Sequence, residues 1–163
     1  MLYKIMSTLL VLSLTIAAHA ADPKTMSACL PDRMGDFKAG DAAAVTRHKD
    51  KVTSVSRPYQ SEKNQPVLTV SVWKIPGNKQ IWPYIDDQGQ AQIIVISGRL
   101  CILKHDPATL QSTLVVNIDK GYLSPPPFLY RVSILATGKK SDETAKALAE
   151  KLNFDRLFAL YDK

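Results

Sequence analysis

The residues able to do chemistry in this chain are few, and their spacing is unhelpful. Cys101, His105 and Asp106 could each bind a transition metal through thiolate, imidazole and carboxylate. On an extended strand, residues four apart share a face yet lie roughly 13 Å apart. One ion cannot span that distance unless Pro107 marks a sharp bend, so the pattern reads as a histidine in a turn. A hydrolytic triad has no better support. No Gly-x-Ser-x-Gly elbow occurs, Ser97-Gly98 is half of one, and outside the first twenty residues only His48 and His105 offer an imidazole base. Asp86-Asp87 reads as turn chemistry and Asp142-Glu143 as helix N-terminal charge. There is no phosphate-cradling glycine loop and no Cys-x-x-Cys. No residue is assigned as catalytic, cofactor-binding or metal-binding, and no cofactor is expected. A small hydrolase using His48 or His105 stands as the alternative to a binding protein.

The first twenty residues place those groups in a compartment. Met1 to Ala20 has an early Lys4, a run from Leu9 to Ala18 that is apolar but for Ser13 and Thr15, and small residues ending Ala18-His19-Ala20. A positive start, an apolar stretch too short to span a bilayer and an A-x-A ending make a secretory signal peptide, with the cut expected after Ala20. The expected location is the periplasm or the exterior, where thiols oxidise, so Cys29 and Cys101 are expected to form one disulfide. Closing a loop of about 70 residues would stabilise by roughly 4 kcal/mol in the chain-entropy model. A competing reading makes Cys29 a lipid-attachment site, because Met26-Ser27-Ala28 precede it. Against that reading, Asp22, Pro23 and Lys24 break the apolar run well before Cys29. No second apolar segment has the length of a transmembrane helix.

What remains, residues 21–163, is the commonest size for one domain with one core. The formal charge of +6 falls to +5 once Lys4 leaves with the leader. Lys and Arg alternate with Asp and Glu, as in Arg47, Lys49, Asp50 and Lys51, so no nucleic-acid-binding block is present. A mildly basic exported domain would still draw in an acidic partner by long-range attraction.

The elements that must position these residues are mostly strands. Residues 21–40 read as an N-terminal arm punctuated by Pro23, Pro31 and Gly35, pinned by Leu30, Met34 and Phe37. Ala42 to Val45 could form one helical turn after an Asp41 cap. Strands are expected at Val52 to Arg57, Val67 to Ile75, Thr113 to Ile118 and Phe128 to Ala136, with a short Pro83-broken one at Ile81 to Ile85. Ala91 to Lys104 reads as a long central strand bent at Gly98. Ser141 caps a helix with Ala145, Leu148, Ala149 and Leu152 at helical spacing, and Phe154, Leu157, Phe158 and Tyr161 form a short closing helix. The expected fold is α+β: a mostly antiparallel sheet of five or six strands, covered on one face by the C-terminal helices.

Large rings offer the remaining recognition chemistry. Trp73, Trp82 and Tyr84 could line a groove, and Tyr122 and Phe128 flank a stiff Ser124-Pro125-Pro126-Pro127 segment that serves as a connector or a recognition arm.

The opening Leu30-Pro31-Asp32-Arg33-Met34-Gly35-Asp36-Phe37, the sheet, the Val132-Ser133-Ile134 strand and the Ser141 to Leu160 helix follow a familiar order. In that order the chain resembles small bacterial envelope proteins with a PsbP-like α/β sandwich. It departs from them in one respect: Pro76 to Gln92 is too short and proline-broken for the helix that usually follows the second strand. The resemblance implies a non-catalytic protein that binds another protein in the cell envelope, possible versions being an inhibitor or immunity protein. It carries over no site residue. A small-ligand carrier is a third expectation, and it requires an apolar cavity between the sheet and the C-terminal helix.

Overall fold

A computed structural model describes residues 21–49, 51–61, 68–77, 91–118 and 128–162. Nine strands join in a single sheet: β1 (Arg33–Met34), β2 (Phe37–Ala39), β3 (Ala43–Arg47), β4 (Val52–Ser61), β5 (Leu68–Pro76), β6 (Ala91–Ile96), β7 (Arg99–Asp106), β8 (Gln111–Ile118) and β9 (Phe128–Thr137). The order across the sheet is β1-β2-β4-β5-β9-β8-β7-β6, and β3 lies beside β4 as well. Every pairing among the described residues is antiparallel. Three helices, α1 (Pro23–Ala28), α2 (Ser141–Ala149) and α3 (Phe154–Phe158), and a closing 3-10 turn (Ala159–Asp162) complete the fold. The class is α+β, with more strands than the five or six expected.

Two-residue alternation decides which face of the sheet is buried. On β9, Tyr130, Val132, Ile134 and Ala136 enter the main core together with Leu114, Val116 and Ile118 of β8, Cys101 and Leu103 of β7, and Leu68, Val70 and Val72 of β5. The same core takes Met26 of α1, Ala145, Leu148 and Ala149 of α2, and Leu157 and Leu160 beyond it. Helix α2 packs on β8 and β9. On the opposite face sits a much smaller cluster of Val52, Ile75 and Leu129, with Trp73 against it.

Two of the extra strands, β1 and β2, lie in the N-terminal arm, and the others come from two places where local sequence misleads. Ala91 to Lys104 is a hairpin, β6 and β7, instead of one bent central strand, and among the described residues β6 is the last strand of the sheet. Ser97 (φ 49°) and Gly98 (φ 74°) both take left-handed backbone, the requirement of a type I′ two-residue turn whose twist matches its flanking strands. In place of the helical turn expected over Ala42 to Val45, Ala43 to Arg47 pairs with Val52 to Ser56 as a strand. An edge that offers a ladder of hydrogen bonds outweighs the weak helix preference of three alanines. β2 and β3 share that one edge of β4, divided at Gly40, whose N–H donates to the Pro58 carbonyl at 2.8 Å.

The N-terminal arm is built into the body. Asp22 caps α1 by accepting from the Thr25 N–H at 2.7 Å, and Pro23 opens it where no N–H is needed. Leu30 and Met34 are buried in the core, with Phe37 packed against it. Tyr59 of β4 donates its hydroxyl to the Pro31 carbonyl at 2.8 Å. Burial pushes the Tyr59 phenol up to about 12, the nearby Arg57 charge opposing it and Asp32 adding to it. A tyrosine in the unfolded chain ionises near 10. Between those values the unfolded chain has released a proton that the folded one retains. The stability carried by the neutral phenol is therefore complete below pH 10 and lost as pH rises through about 12. Urea midpoints are expected to fall across that window, and Tyr59→Phe should make the decline shallower; an equally steep fall in that variant would contradict the assignment.

Candidate interaction surface

The groups singled out as possible chemistry are occupied in holding the fold. His105 points Nδ1 at the Ser112 hydroxyl, 2.9 Å away, and Ser112 pairs with the Ser141 hydroxyl at 2.7 Å. Both serines are fully buried, so neither oxygen can reach a substrate arriving from solvent. The chain of three ties the start of α2 to β7 and β8; Ser141 is the first residue of α2, and Lys140 occupies the cap position. Asp106 accepts from the N–H groups of Ala108 and Thr109 and from the Thr109 hydroxyl, and those bonds, the hydroxyl's foremost, hold its carboxyl below the usual range. It shapes the turn between β7 and β8. His48 is exposed in the turn after β3. Asp142 and Glu143 fill the first turn of α2. Among the described residues, no three His, Cys, Asp or Glu side chains converge on a metal-sized site.

The expected bridge between Cys29 and Cys101 is not formed in this structure, where both cysteines are free. Cys29 follows α1 and directs its Sγ to the carbonyls of Thr25 and Arg156, while Cys101 sits within β7 with its Sγ toward the Arg99 carbonyl. Burial raises both thiols above their ordinary value, with nearby Arg156 and Arg99 opposing it only in part. A protonated thiol is a poor nucleophile. Beside Cys29, a cavity of about 330 Å³ opens between α1 and the C-terminal segment, lined by Thr25, Ala28, Arg156, Ala159 and Leu160. The carrier reading needed its cavity between sheet and α2, which is a different place.

The aromatic residues do not form one groove. Trp73 pairs with Arg131 and Phe128 with Pro76, so Trp73 and Phe128 stand on opposite faces of the sheet. Phe128 belongs to the helix side, stacked with Tyr161 at 6.4 Å and edge-on to Tyr130 at 5.6 Å, with the Lys74 ammonium 4.9 Å from its centroid. Trp82, Tyr84 and Tyr122, like Asp86-Asp87 and the triple proline, lie outside the described residues.

Two features of the other face escape a reading by residue type. Beside Trp73 sits Arg131, the one charged residue of β9, and that isolation is the signal that could have drawn attention to it. Its Nε donates to the Asn117 side-chain oxygen at 3.1 Å, but its Nη2 is buried without a hydrogen-bond partner. Trp73 donates its indole N–H to the Ser133 hydroxyl at 3.0 Å, which orients the ring. The second feature is β6 itself. Ile93, Val95 and Leu100 are 63%, 66% and 54% exposed, and register puts Val95 opposite Leu100 and Ile93 opposite Ile102. Ile94 and Ile96 turn to the core side, so Ile93 and Val95 share the face that carries Trp73 and Arg131. Comparison with known proteins returns no match to this chain among family models, curated proteins or solved structures.

Proposed function

We propose that the chain is an exported, non-enzymatic binding module that takes a protein partner by strand addition along β6. The observation that carries this reading is a sheet edge left open among the described residues, where β6 has one neighbour in the sheet, β7. Its six residues, Ala91-Gln92-Ile93-Ile94-Val95-Ile96, contain no charge, proline or glycine. Edges that must stay unpaired are blunted by charge, proline or short length. The far edge has such devices: β1 is two residues long, and β2 and β3 carry Lys38 and Arg47.

Antiparallel alternation supplies the mechanism. The pair flanking a two-residue turn is hydrogen-bonded, here Ile96 and Arg99, so Ile93 and Val95 fall at pairs whose backbone groups point away from β7. An incoming extended segment would bond those groups and lay alternate apolar side chains on Ile93, Val95 and Leu100. The main chain supplies affinity and the alternate pockets supply specificity. The positive net charge favours an acidic partner at long range. The buried serines of the His105 chain speak against the hydrolase alternative.

The test is selection of extended peptides from a displayed library, followed by amide exchange of the bound complex. Selected peptides should have apolar side chains at alternate positions and protect the amides of Ile93 and Val95. Burying two aliphatic side chains contributes roughly 3–5 kcal/mol, so I93K/V95K should weaken binding at least ~100-fold while Val45→Lys, on the opposite edge, leaves it unchanged. Protection confined to β4 and β5 would overturn the proposal.

A further inference from the structure

Ala21 is 5% exposed, and its nitrogen lies 3.0 Å from the hydroxyl oxygen of fully buried Tyr130, across 109 positions of sequence. That nitrogen belongs to the bond expected to be cut when the leader is removed. We propose that Tyr130 is a binding site for a primary amine, the α-amino group that processing creates on Ala21. The proposal rests on the export reading above for the existence of that amine.

The phenol is held in place before any ligand arrives. Tyr161 stands edge-on to Tyr130 at 4.9 Å, accepts from the Tyr130 N–H at 3.0 Å and donates to the Ile118 carbonyl. Phe128 closes a second side. The amine is held equally well from its own side: Asp22 and Pro23 begin α1 immediately, and the Met26 N–H donates to the Asp22 carbonyl at 3.0 Å. Among the described residues the Tyr130 hydroxyl has one hydrogen-bond partner, the Ala21 nitrogen.

Processing changes what that nitrogen can do. A leader peptidase adds water to the Ala20 carbonyl carbon and the C–N bond breaks; the Ala20 carboxylate keeps the hydroxyl oxygen and the proton passes to the departing Ala21 nitrogen. Before the cut, the nitrogen is an amide that can only donate. Afterwards it is an amine with an ordinary pKa near 8. As an ammonium it donates to the phenol oxygen, and as a neutral amine it accepts the phenolic proton. Both forms pair with Tyr130.

Three chains test this: one beginning at Ala21 with a free amine, the same chain N-acetylated, and one that retains Ala20. Intact mass of protein recovered from its host comes first, because an N-terminus other than Ala21 overturns the export reading independently of the docking. Tyr130→Phe should then shift the unfolding equilibrium of the free-amine chain about 10-fold more than that of the acetylated or extended chain. Equal shifts within 2-fold would overturn the site. Should Tyr130→Phe fail to fold, acylation of the native α-amine by an activated ester decides the matter. Protection of at least ~100-fold over the urea-unfolded chain is expected, and reactivity equal to the unfolded chain would overturn it.

Discussion

Replacing Ile134 by alanine is expected to destabilise the protein by about 4 kcal/mol, whereas the same change at the adjacent Leu135 should cost below about 1 kcal/mol. The two residues differ by one step along β9. Ile134 is fully buried in the core beside Leu114 and Val70, and Leu135 is 36% exposed on the other face. Removing a large side chain from a packed site forfeits its transfer energy and leaves a void that neighbours fill only in part. At a half-exposed position the void fills with water. For a domain of this size the Ile134 variant should melt about 12 °C lower, and since whole domains are stable by roughly 5–15 kcal/mol, it would approach the limit of folding. Thermal and urea unfolding of the two variants measure the contrast directly. A reversal of the two values would mean that the helices cover the face carrying Leu135.

The second large effect is expected at Arg57. Its guanidinium donates to three acceptors from three parts of the arm: the Leu30 carbonyl at 2.9 Å, the Gly40 carbonyl at 3.0 Å and the Asp32 carboxylate at 2.7 Å. Arg57→Met keeps the stem and removes every donor, with an expected loss of about 2 kcal/mol from charge-assisted bonds to partly buried carbonyls. Asp32→Asn should cost less than about 0.5 kcal/mol, because the Asp32 side chain is 90% exposed and its ion pair is screened by water. The measurement is a urea series on both variants with amide exchange of residues 30 to 40. Faster exchange in Arg57→Met alone would show the clamp lies in the carbonyl bonds, while equal losses in both variants would place it in the ion pair.

Several elements were legible along the chain because a single face decides them. Thr113 to Ile118 and Phe128 to Ala136 alternate cleanly and fall within β8 and β9, and the Ser141 helix has its acidic first turn and its Ala145, Leu148, Ala149 stripe. The Ala91 to Lys104 run was illegible for the opposite reason. It is apolar on both sides of Ser97-Gly98, and a bulged strand and a tight hairpin demand the same glycine; only the partners of each half tell them apart. The open edge was hidden with it, since a continuous strand through the middle of a sheet has no edge to offer. Arg131 was passed over because a lone charge in a strand gains its meaning from what flanks it, here Asn117 and Trp73 from two neighbouring strands.

Local chemistry on its own therefore determined the α+β class, the antiparallel habit and the C-terminal helix. Those properties depend on neighbours within a few positions, through alternation, capping and turn preference. Tertiary structure alone decided that β6 comes last in the sheet among the described residues, that Trp73 and Phe128 face opposite ways and that Ala21 meets Tyr130. Each of these depends on which strand lies beside which, and a contact across as many as 109 positions is chosen by the burial of a whole face, which no short window of residues contains.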